Sequence, residues 1–390
     1  MFKIKMSVDQ INYINIGLMI VSAICAFIKP FETFLFVYAF LGPLHYLTEI
    51  SWLHDKQYFT KRKYDYLLLL GIGVLLTLMN FGYFHLADEE QDRTFQTYGF
   101  TAFILIAFGS ALIFVTTKAI GRRFLYFIAV VVVSIMVVKS EMVENIFGSF
   151  LPTLIHVFIF TGLFILVGAL KGRNLSGILS LVVFIAIAFS FFYIHPDKSS
   201  YKVDSYVTNS YGVMRPAVNE GIYYHYDKKD KWTPVTDSLT GDVTLVPTSK
   251  GFISLNNTIR EIFNLHKFGK PNTDEATFVA NINKFFYSNP TMLAIMMFIA
   301  FAYMYHYLNW FSKTSVIQWH AIPRFRFVII FLLWFASIGL YMYDYAVGLD
   351  WLFFLSFTHV LLEFPLNHLT FINIGKETGK IFSAKKFAKD

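Results

Sequence analysis

Two segments of the sequence carry the same His-x3-Glu-x4-His spacing, and both lie in strongly apolar stretches. Their polar residues are His45, Glu49 and His54 in the first segment and His359, Glu363 and His368 in the second. Ionisable side chains are costly to place in a bilayer, and they usually have a function there. Imidazole and carboxylate groups together bind iron, zinc, copper or manganese. The repeat therefore predicts a metal site inside a membrane.

The spacing within each segment predicts which side chains work together. The first histidine and the glutamate are four residues apart, so they share a helix face. The second histidine follows the first by nine residues, which turns it to the opposite face of an unbroken helix. Pro365 would change that phase for His368 by kinking its helix. Both trailing histidines, His54 and His368, are candidate metal ligands, and Glu49 and Glu363 are candidate catalytic residues that bind the metal or orient its ligands.

Ten apolar runs supply the helices that would position these residues. The chain of 390 residues is 56% hydrophobic and only 15% charged, with a mean hydropathy of +0.52, which excludes a disordered chain and is unusual for a soluble one. The runs cover residues 11–29, 33–53, 66–85, 95–117, 124–138, 147–170, 177–195, 291–312, 326–346 and 351–373. Most are long enough to cross a bilayer. The sequence predicts an all-α polytopic membrane protein with about ten transmembrane helices.

The distribution of charge predicts how the helices are oriented. Basic residues concentrate in the connections on the same side as the N-terminus, at 56–63, 118–123, 171–173, 313–326 and 376–389. This is the positive-inside pattern of cytoplasmic loops. It places both termini in the cytoplasm and explains the net charge of +7 without a nucleic-acid partner. The single cysteine, Cys25, excludes an internal disulfide and any multi-cysteine metal site.

Two more histidines, His156 and His306, join the first ones in this topology. Together with His45 and His359 they lie in runs two, six, eight and ten, which all cross in the same direction. Helices in a bundle build metal sites from inward-facing side chains at one depth. Asn309, one turn after His306, is a candidate to bind a ligand or substrate. The tyrosines and tryptophan around His306 fit in part an interfacial aromatic belt.

Residues 196–290 interrupt the apolar pattern and fall on the extracytoplasmic side. They divide the chain into helices one to seven (1–195), an insertion (196–290), helices eight to ten (291–374) and a basic cytoplasmic tail (375–390). Alternating apolar residues and turn signals predict an α+β insertion. Its strand-like runs are 201–208, 221–226 and Val243–Pro247, and its helical runs are 257–268 and 278–286. The insertion either caps the bundle or contacts a substrate or an envelope protein partner.

Two short segments resemble the bacterial Brp/Blh β-carotene oxygenases. They are residues 41–45 (Leu-Gly-Pro-Leu-His) and 306–311 (His-Tyr-Leu-Asn-Trp-Phe). Members of that family are multi-span membrane proteins whose iron-binding histidines come from several helices. The resemblance implies iron and an isoprenoid-like substrate. The chain departs from the family where Tyr46 replaces the glycine after the histidine, where Glu49 is the nearest acid, and in having the insertion.

Three functions follow from these residues. The first is a membrane-embedded, histidine-rich metalloenzyme, a non-haem iron oxygenase or desaturase-like redox enzyme acting on a lipid or isoprenoid that enters from the bilayer. Its ligands would be the histidines already named, and zinc, copper and haem stay open as cofactors. The alternative is a proton- or ion-coupled transporter in which the same His and Glu side chains titrate. The third is a scaffold whose insertion binds an envelope protein.

Overall fold

Helices dominate the computed structural model, which describes residues 6–84, 91, 95–194, 207, 232–236, 243–247, 289–313 and 322–387. The helices are α1 Val8–Ile28, α2 Pro30–Asp55, α3 Tyr66–Asn80, α4 Phe100–Thr116, α5 Ile120–Val137, α6 Glu144–Gly172, α7 Leu175–Ser190, α8 Pro290–Ser312, α9 Arg324–Tyr343 and α10 Tyr345–Phe387. Short helical turns occur at Gln57–Phe59, Phe95–Gly99 and Glu141–Val143. The first part of α6, Glu144–Phe160, is π-helical and includes Pro152.

Each of the ten predicted apolar runs lies largely within one of these helices. The prediction of an all-α membrane protein is therefore confirmed. Within the described ranges, six helices are long and apolar enough to cross a membrane: α1, α5, α6, α8, α9 and α10. Three others, α3, α4 and α7, are apolar but have only 15–17 residues. Helix α2 has 26 residues, and Pro43, His45 and Glu49 lower its apolar character.

The chain divides into two compact units, and the candidate site residues belong to the larger one. That unit comprises Met1–Ser22, Phe36–Ala188 and Phe301–Asp390, and the smaller comprises Ala23–Leu35 and Phe189–Ala300. In the smaller unit, β1 (Trp232–Thr236) pairs antiparallel with β2 (Val243–Pro247). Strand β2 coincides with one of the predicted strand-like runs. Apart from Val207, the other predicted elements of the insertion lie outside the described residues.

Helix α10 is at the centre of the larger unit and packs against α3, α4, α6 and α9. A run of apolar residues, Val360–Leu362 followed by Phe364, is buried in a core shared with α3, α4 and α6. The core also contains Leu69, Leu76, Ile104, Ala107, Leu151 and Phe160. The helix continues through Pro365, so the predicted kink does not interrupt it. It ends at Phe387, well inside the segment predicted as a basic tail.

The exposed surface of α5 and α9 is apolar. In the most apolar stretch of each helix, 6% of the residues of α5 and 17% of those of α9 are buried. In α8, 78% of these residues are buried. Large side chains such as Phe124, Ile135, Leu332 and Phe335 are exposed. Soluble monomers rarely expose contiguous apolar surface of this kind, whereas lipid covers it at no cost. Because a helix that is apolar all round belongs in the interior, α8 is suited to carry a buried site.

Candidate metal centre

Four histidine rings from four helices meet in a closed arrangement. His45 comes from α2, His156 from α6, His306 from α8 and His359 from α10. Around the arrangement, the ring centroids are 4.8 Å apart for His45 and His306, 5.0 Å for His306 and His156, 5.0 Å for His156 and His359, and 5.5 Å for His359 and His45. No member is more than 7% exposed. The predicted convergence of these histidines is thus present in the structure.

Two pairs of these ring nitrogens have the spacing of neighbouring ligands on a metal ion. His45 Nε2 lies 3.1 Å from His306 Nε2, and His156 Nε2 lies 3.2 Å from His359 Nε2. Metal–imidazole bonds of about 2.0–2.1 Å place neighbouring ligand atoms about 2.9–3.4 Å apart in octahedral or tetrahedral geometry. One ligand atom each from His45, His156 and His306 also falls within 4.8 Å of the others. His45, Glu49 and His359 form a second group of this kind, so these buried His and Glu side chains could hold a metal ion.

Contacts at the opposite ring nitrogens orient two of the imidazoles. His359 Nδ1 is 3.3 Å from the carbonyl oxygen of Leu355, and His306 Nδ1 is 2.8 Å from the Thr161 hydroxyl. A proton on each Nδ1 can be donated to these oxygens, which leaves the Nε2 lone pairs facing the other histidines. Metal-binding histidines are commonly held in this way. Thr161 was not predicted, because its distance from His306 in the sequence gives no signal.

The two glutamates take different positions, although their spacing in the sequence is the same. Glu49 Oε2 lies 3.0 Å from His45 Nε2, the nitrogen that also faces His306. Glu363 Oε2 lies 3.2 Å from His156 Nδ1, whereas His156 Nε2 faces His359. Glu49 is therefore on the inner side of the histidine arrangement. Glu363 lies behind His156, where carboxylates orient metal-bound imidazoles.

Protons alone satisfy these contacts poorly. His45 Nε2 has two close polar neighbours, but an imidazole nitrogen offers either one proton or one lone pair. Glu49 Oε2 and Glu363 Oε2 are buried, and their short contacts lack hydrogen-bond geometry. A buried polar atom without a partner costs about 1–3 kcal/mol. A bound cation would satisfy the inward-facing nitrogens and the Glu49 carboxylate together, so the residues present fit a metal ion.

Large aromatic side chains enclose the four histidines. Tyr46 stacks on His359 with ring centroids 4.3 Å apart, and Tyr307 lies 5.0 Å from His45. Trp310 lies 5.4 Å from His45 and donates from its indole nitrogen to the Thr48 hydroxyl at 3.0 Å. Each of these three aromatic residues is at least 90% buried. The interfacial belt expected around His306 is thus a buried wall of the site at Tyr307 and Trp310.

The two trailing histidines are not brought to this centre. His54 is exposed at the end of α2, where its Nδ1 is 3.3 Å from Asp55. His368 Nε2 is 2.8 Å from the carbonyl oxygen of Phe108 on α4. Their assignment as metal ligands therefore has no support in the structure. The physical reason is the nine-residue spacing, which turns each of them away from the first histidine of its segment.

Asn309 also lies away from the histidines. Its side-chain oxygen is 3.5 Å from the Tyr305 hydroxyl, and its backbone oxygen accepts from the Ser312 hydroxyl at 2.9 Å. Tyr305 and Ser312 in turn contact Asn15 on α1. Asn309 thus belongs to a polar contact between α8 and α1. The predicted role in binding a ligand or substrate is not supported by this position.

No protein-family model, curated protein or solved structure matches the chain. The resemblance to the Brp/Blh β-carotene oxygenases consequently stays a prediction from residues 41–45 and 306–311.

Proposed function

We propose that the protein is a membrane-embedded metalloenzyme with one metal ion held by His45, His156, His306 and His359. The observation that carries this proposal is the closed arrangement of four buried imidazoles, with inward nitrogens 3.1 and 3.2 Å apart. Glu49 is the candidate for a further ligand because it shares the inner side with His45 Nε2. Intramembrane ionisable groups are costly, and a common cation is the simplest reason for the four histidines and Glu49 to meet.

Iron is the metal that we favour for this centre. Imidazole and carboxylate ligands suit iron, zinc and copper alike, and non-haem iron oxygenases use such ligands with open positions. The resemblance to an iron-dependent family adds to this choice. Haem fits less well, because facing imidazole nitrogens 3.1 and 3.2 Å apart leave no room for a macrocycle between them. Each ring also has two other imidazoles beside it.

The proposed reaction is an oxidation of a lipid or isoprenoid, as in an oxygenase or desaturase. Bound iron would supply the redox chemistry. The protein would supply fixed imidazoles, a carboxylate on their inner side, and surroundings that keep water away. Tyr46, Tyr307 and Trp310 provide much of that enclosure, and the apolar exposed faces of α5 and α9 fit contact with the membrane from which such a substrate would come.

The proposed topology has ten crossings, with both termini in the cytoplasm and residues 196–290 outside. Its support is the alternation of basic and acidic connections. The shorter helices α3, α4 and α7 would also cross, because the bilayer can become thinner around a short apolar span. Residues 196–290 remain the candidate surface for an envelope protein partner in this topology.

A proton-coupled transporter is the second candidate, and one observation favours it. Among the described residues, four buried histidine and glutamate atoms lack hydrogen-bond geometry: His45 Nδ1, Glu49 Oε2, His156 Nδ1 and Glu363 Oε2. Chains of such residues form proton pathways in membrane transporters. In this reading the site would hold no resident metal, and proton movement would accompany the transport of a substrate.

A combined measurement separates the two candidates. The purified protein is analysed for iron, zinc and copper, its optical spectrum is recorded, and proton flux is followed in liposomes. The metalloenzyme proposal expects about one metal ion per chain, no Soret band, and no flux above that of empty liposomes. A Soret band would contradict the non-haem centre. Proton-driven flux by metal-free protein would contradict the enzyme and support the transporter.

A further inference from the structure

One face of His359 is covered by the phenol ring of Tyr46. The two rings stack with an angle of 23° and centroids 4.3 Å apart. The neighbouring imidazoles meet His359 edge-on instead, at 82° for His45 and 78° for His156. The contact of His359 Nδ1 with Leu355 is long, at 3.3 Å, and hydrogen bonds weaken at such lengths. The stacked phenol therefore restricts the plane of the His359 ring, in addition to the backbone contact at Nδ1.

Tyr46 is itself held by a second buried tyrosine. Its hydroxyl lies 2.9 Å from the hydroxyl of Tyr307, and both side chains are 1% exposed. Tyr46 belongs to α2 and Tyr307 to α8, so the pair joins two helices that each supply a histidine. A buried hydroxyl pair of this kind is expensive to separate, since each member would lose its partner without gaining water.

Gly42 provides the space that the tyrosine pair occupies. A Cβ atom at this position would lie 3.1 Å from the Tyr46 hydroxyl, 3.3 Å from the ring carbon that bears it and 3.4 Å from the Tyr307 hydroxyl. Carbon–oxygen contacts of 3.1 Å are too short for a relaxed packing, so one hydroxyl would have to move. Because both phenols are enclosed by the bundle, movement of a hydroxyl would also tilt its ring.

We propose that Tyr46 is a positioning residue, which fixes the orientation of the His359 imidazole toward the metal, and that Gly42 is required for this orientation. This inference rests on the proposed metal centre. It adds to the site the phenol side chains of Tyr46 and Tyr307, which would not contact the ion themselves. Outer contacts of this type typically change metal affinity by about 10–100-fold.

The test uses Co²⁺ as a spectroscopic probe in metal-depleted, full-length protein. Tyr46→Leu removes the stacked ring, and we expect an altered ligand-field spectrum with about tenfold or greater loss of Co²⁺ affinity. Tyr46→Phe keeps the stacked ring and loses only the contact with the Tyr307 hydroxyl, so its spectrum and affinity should stay closer to those of the wild type than those of Tyr46→Leu. Gly42→Ala should change the spectrum in the same direction as Tyr46→Leu but by less, because the hydroxyl groups need to shift only slightly. The double variant Gly42→Ala/Tyr46→Phe should recover in part, because it removes the shortest contact and leaves the ring carbon at 3.3 Å.

Tyr305→Leu is the matched control for burial. Tyr305 is fully buried on α8 but contacts Phe184 and Phe301, so its loss should lower thermal stability without changing the Co²⁺ spectrum. If Tyr46→Leu and Gly42→Ala lower stability but keep the wild-type spectrum and affinity, the positioning role is overturned. Failure of the wild-type protein to bind Co²⁺ would overturn the metal centre itself, and this inference with it.

Discussion

His45 Nε2 lies 3.1 Å from His306 Nε2, although 261 residues separate the two histidines in the sequence. The same nitrogen of His45 is 3.0 Å from the Glu49 carboxylate. Two imidazoles and a carboxylate that meet at one point in an apolar bundle have more acceptor atoms than protons can easily satisfy. This relationship is the physical basis for placing a cation between α2 and α8.

The two glutamates should differ in their effect on metal binding. Glu363→Gln removes a group behind His156, so we expect the bound metal to stay near wild-type stoichiometry, with affinity lowered about 10–100-fold. Glu49→Gln removes the carboxylate on the inner side, so it should also change the ligand-field spectrum. Isothermal titration and Co²⁺ spectra would measure both effects.

Glu377→Gln is the control for these variants, because Glu377 pairs with Lys380 at 2.7 Å on the surface of α10. It should leave metal affinity and spectrum unchanged. Identical spectra for Glu49→Gln and Glu363→Gln would contradict the separate roles that their positions indicate.

The orientation of the helices gives a second prediction. Single cysteines replace Lys118 and Lys139, which are exposed before and after α5, in a background in which Cys25 is changed to serine. A membrane-impermeant thiol reagent applied to intact cells should label position 139 and should label position 118 only after permeabilisation. Labelling of position 118 in intact cells would invert the proposed topology.

Close packing of α4 against α5 gives a third prediction. A Cβ atom at Gly109 would lie 2.7 Å from the Val130 side chain, whereas one at Gly71 would meet nothing within 4 Å. Gly109→Ala should therefore lower the free energy of unfolding by about 1–3 kcal/mol, which is measurable by thermal denaturation in detergent. Gly71→Ala, the matched control, should be neutral or slightly stabilising.

Val130→Ala supplies a compensating change for the same contact. In the Gly109→Ala background it removes the methyl groups that the new Cβ would meet, so part of the lost stability should return. Equal stability of Gly109→Ala and the wild-type protein would show that the two helices separate easily, contrary to the close approach in the structure.

The sequence predicted the helices because their apolar runs are long. It predicted that the four histidines meet because their helices cross in the same direction. It did not distinguish the glutamates. Equal i,i+4 spacing places Glu49 beside His45, its own helix partner, whereas Glu363 contacts His156 on another helix. That difference arises from helix rotation and side-chain rotamers, which a pattern of residue types does not encode.

The residues around the histidines were harder to predict for the same reason. Tyr46 was noted only as a departure from the glycine of the Brp/Blh pattern, yet it stacks on His359. His156 lies in the π-helical part of α6, where the usual 3.6-residue period does not fix the face of a side chain. The nine-residue phase, by contrast, indicated that His54 faces away, as it does in the structure. For His368 the expected kink at Pro365 left the face open, and because the helix continues through Pro365, His368 also lies away from the centre.

The metal content of purified His306→Ala protein tests the central claim most directly. His54→Ala is the matched control, because His54 is exposed at the end of α2 and outside the centre. Wild-type and His54→Ala protein should each contain about one metal ion per chain, and His306→Ala should contain almost none although it remains folded. Full metal content in folded His306→Ala protein, or none in the wild-type protein, would contradict the four-histidine centre.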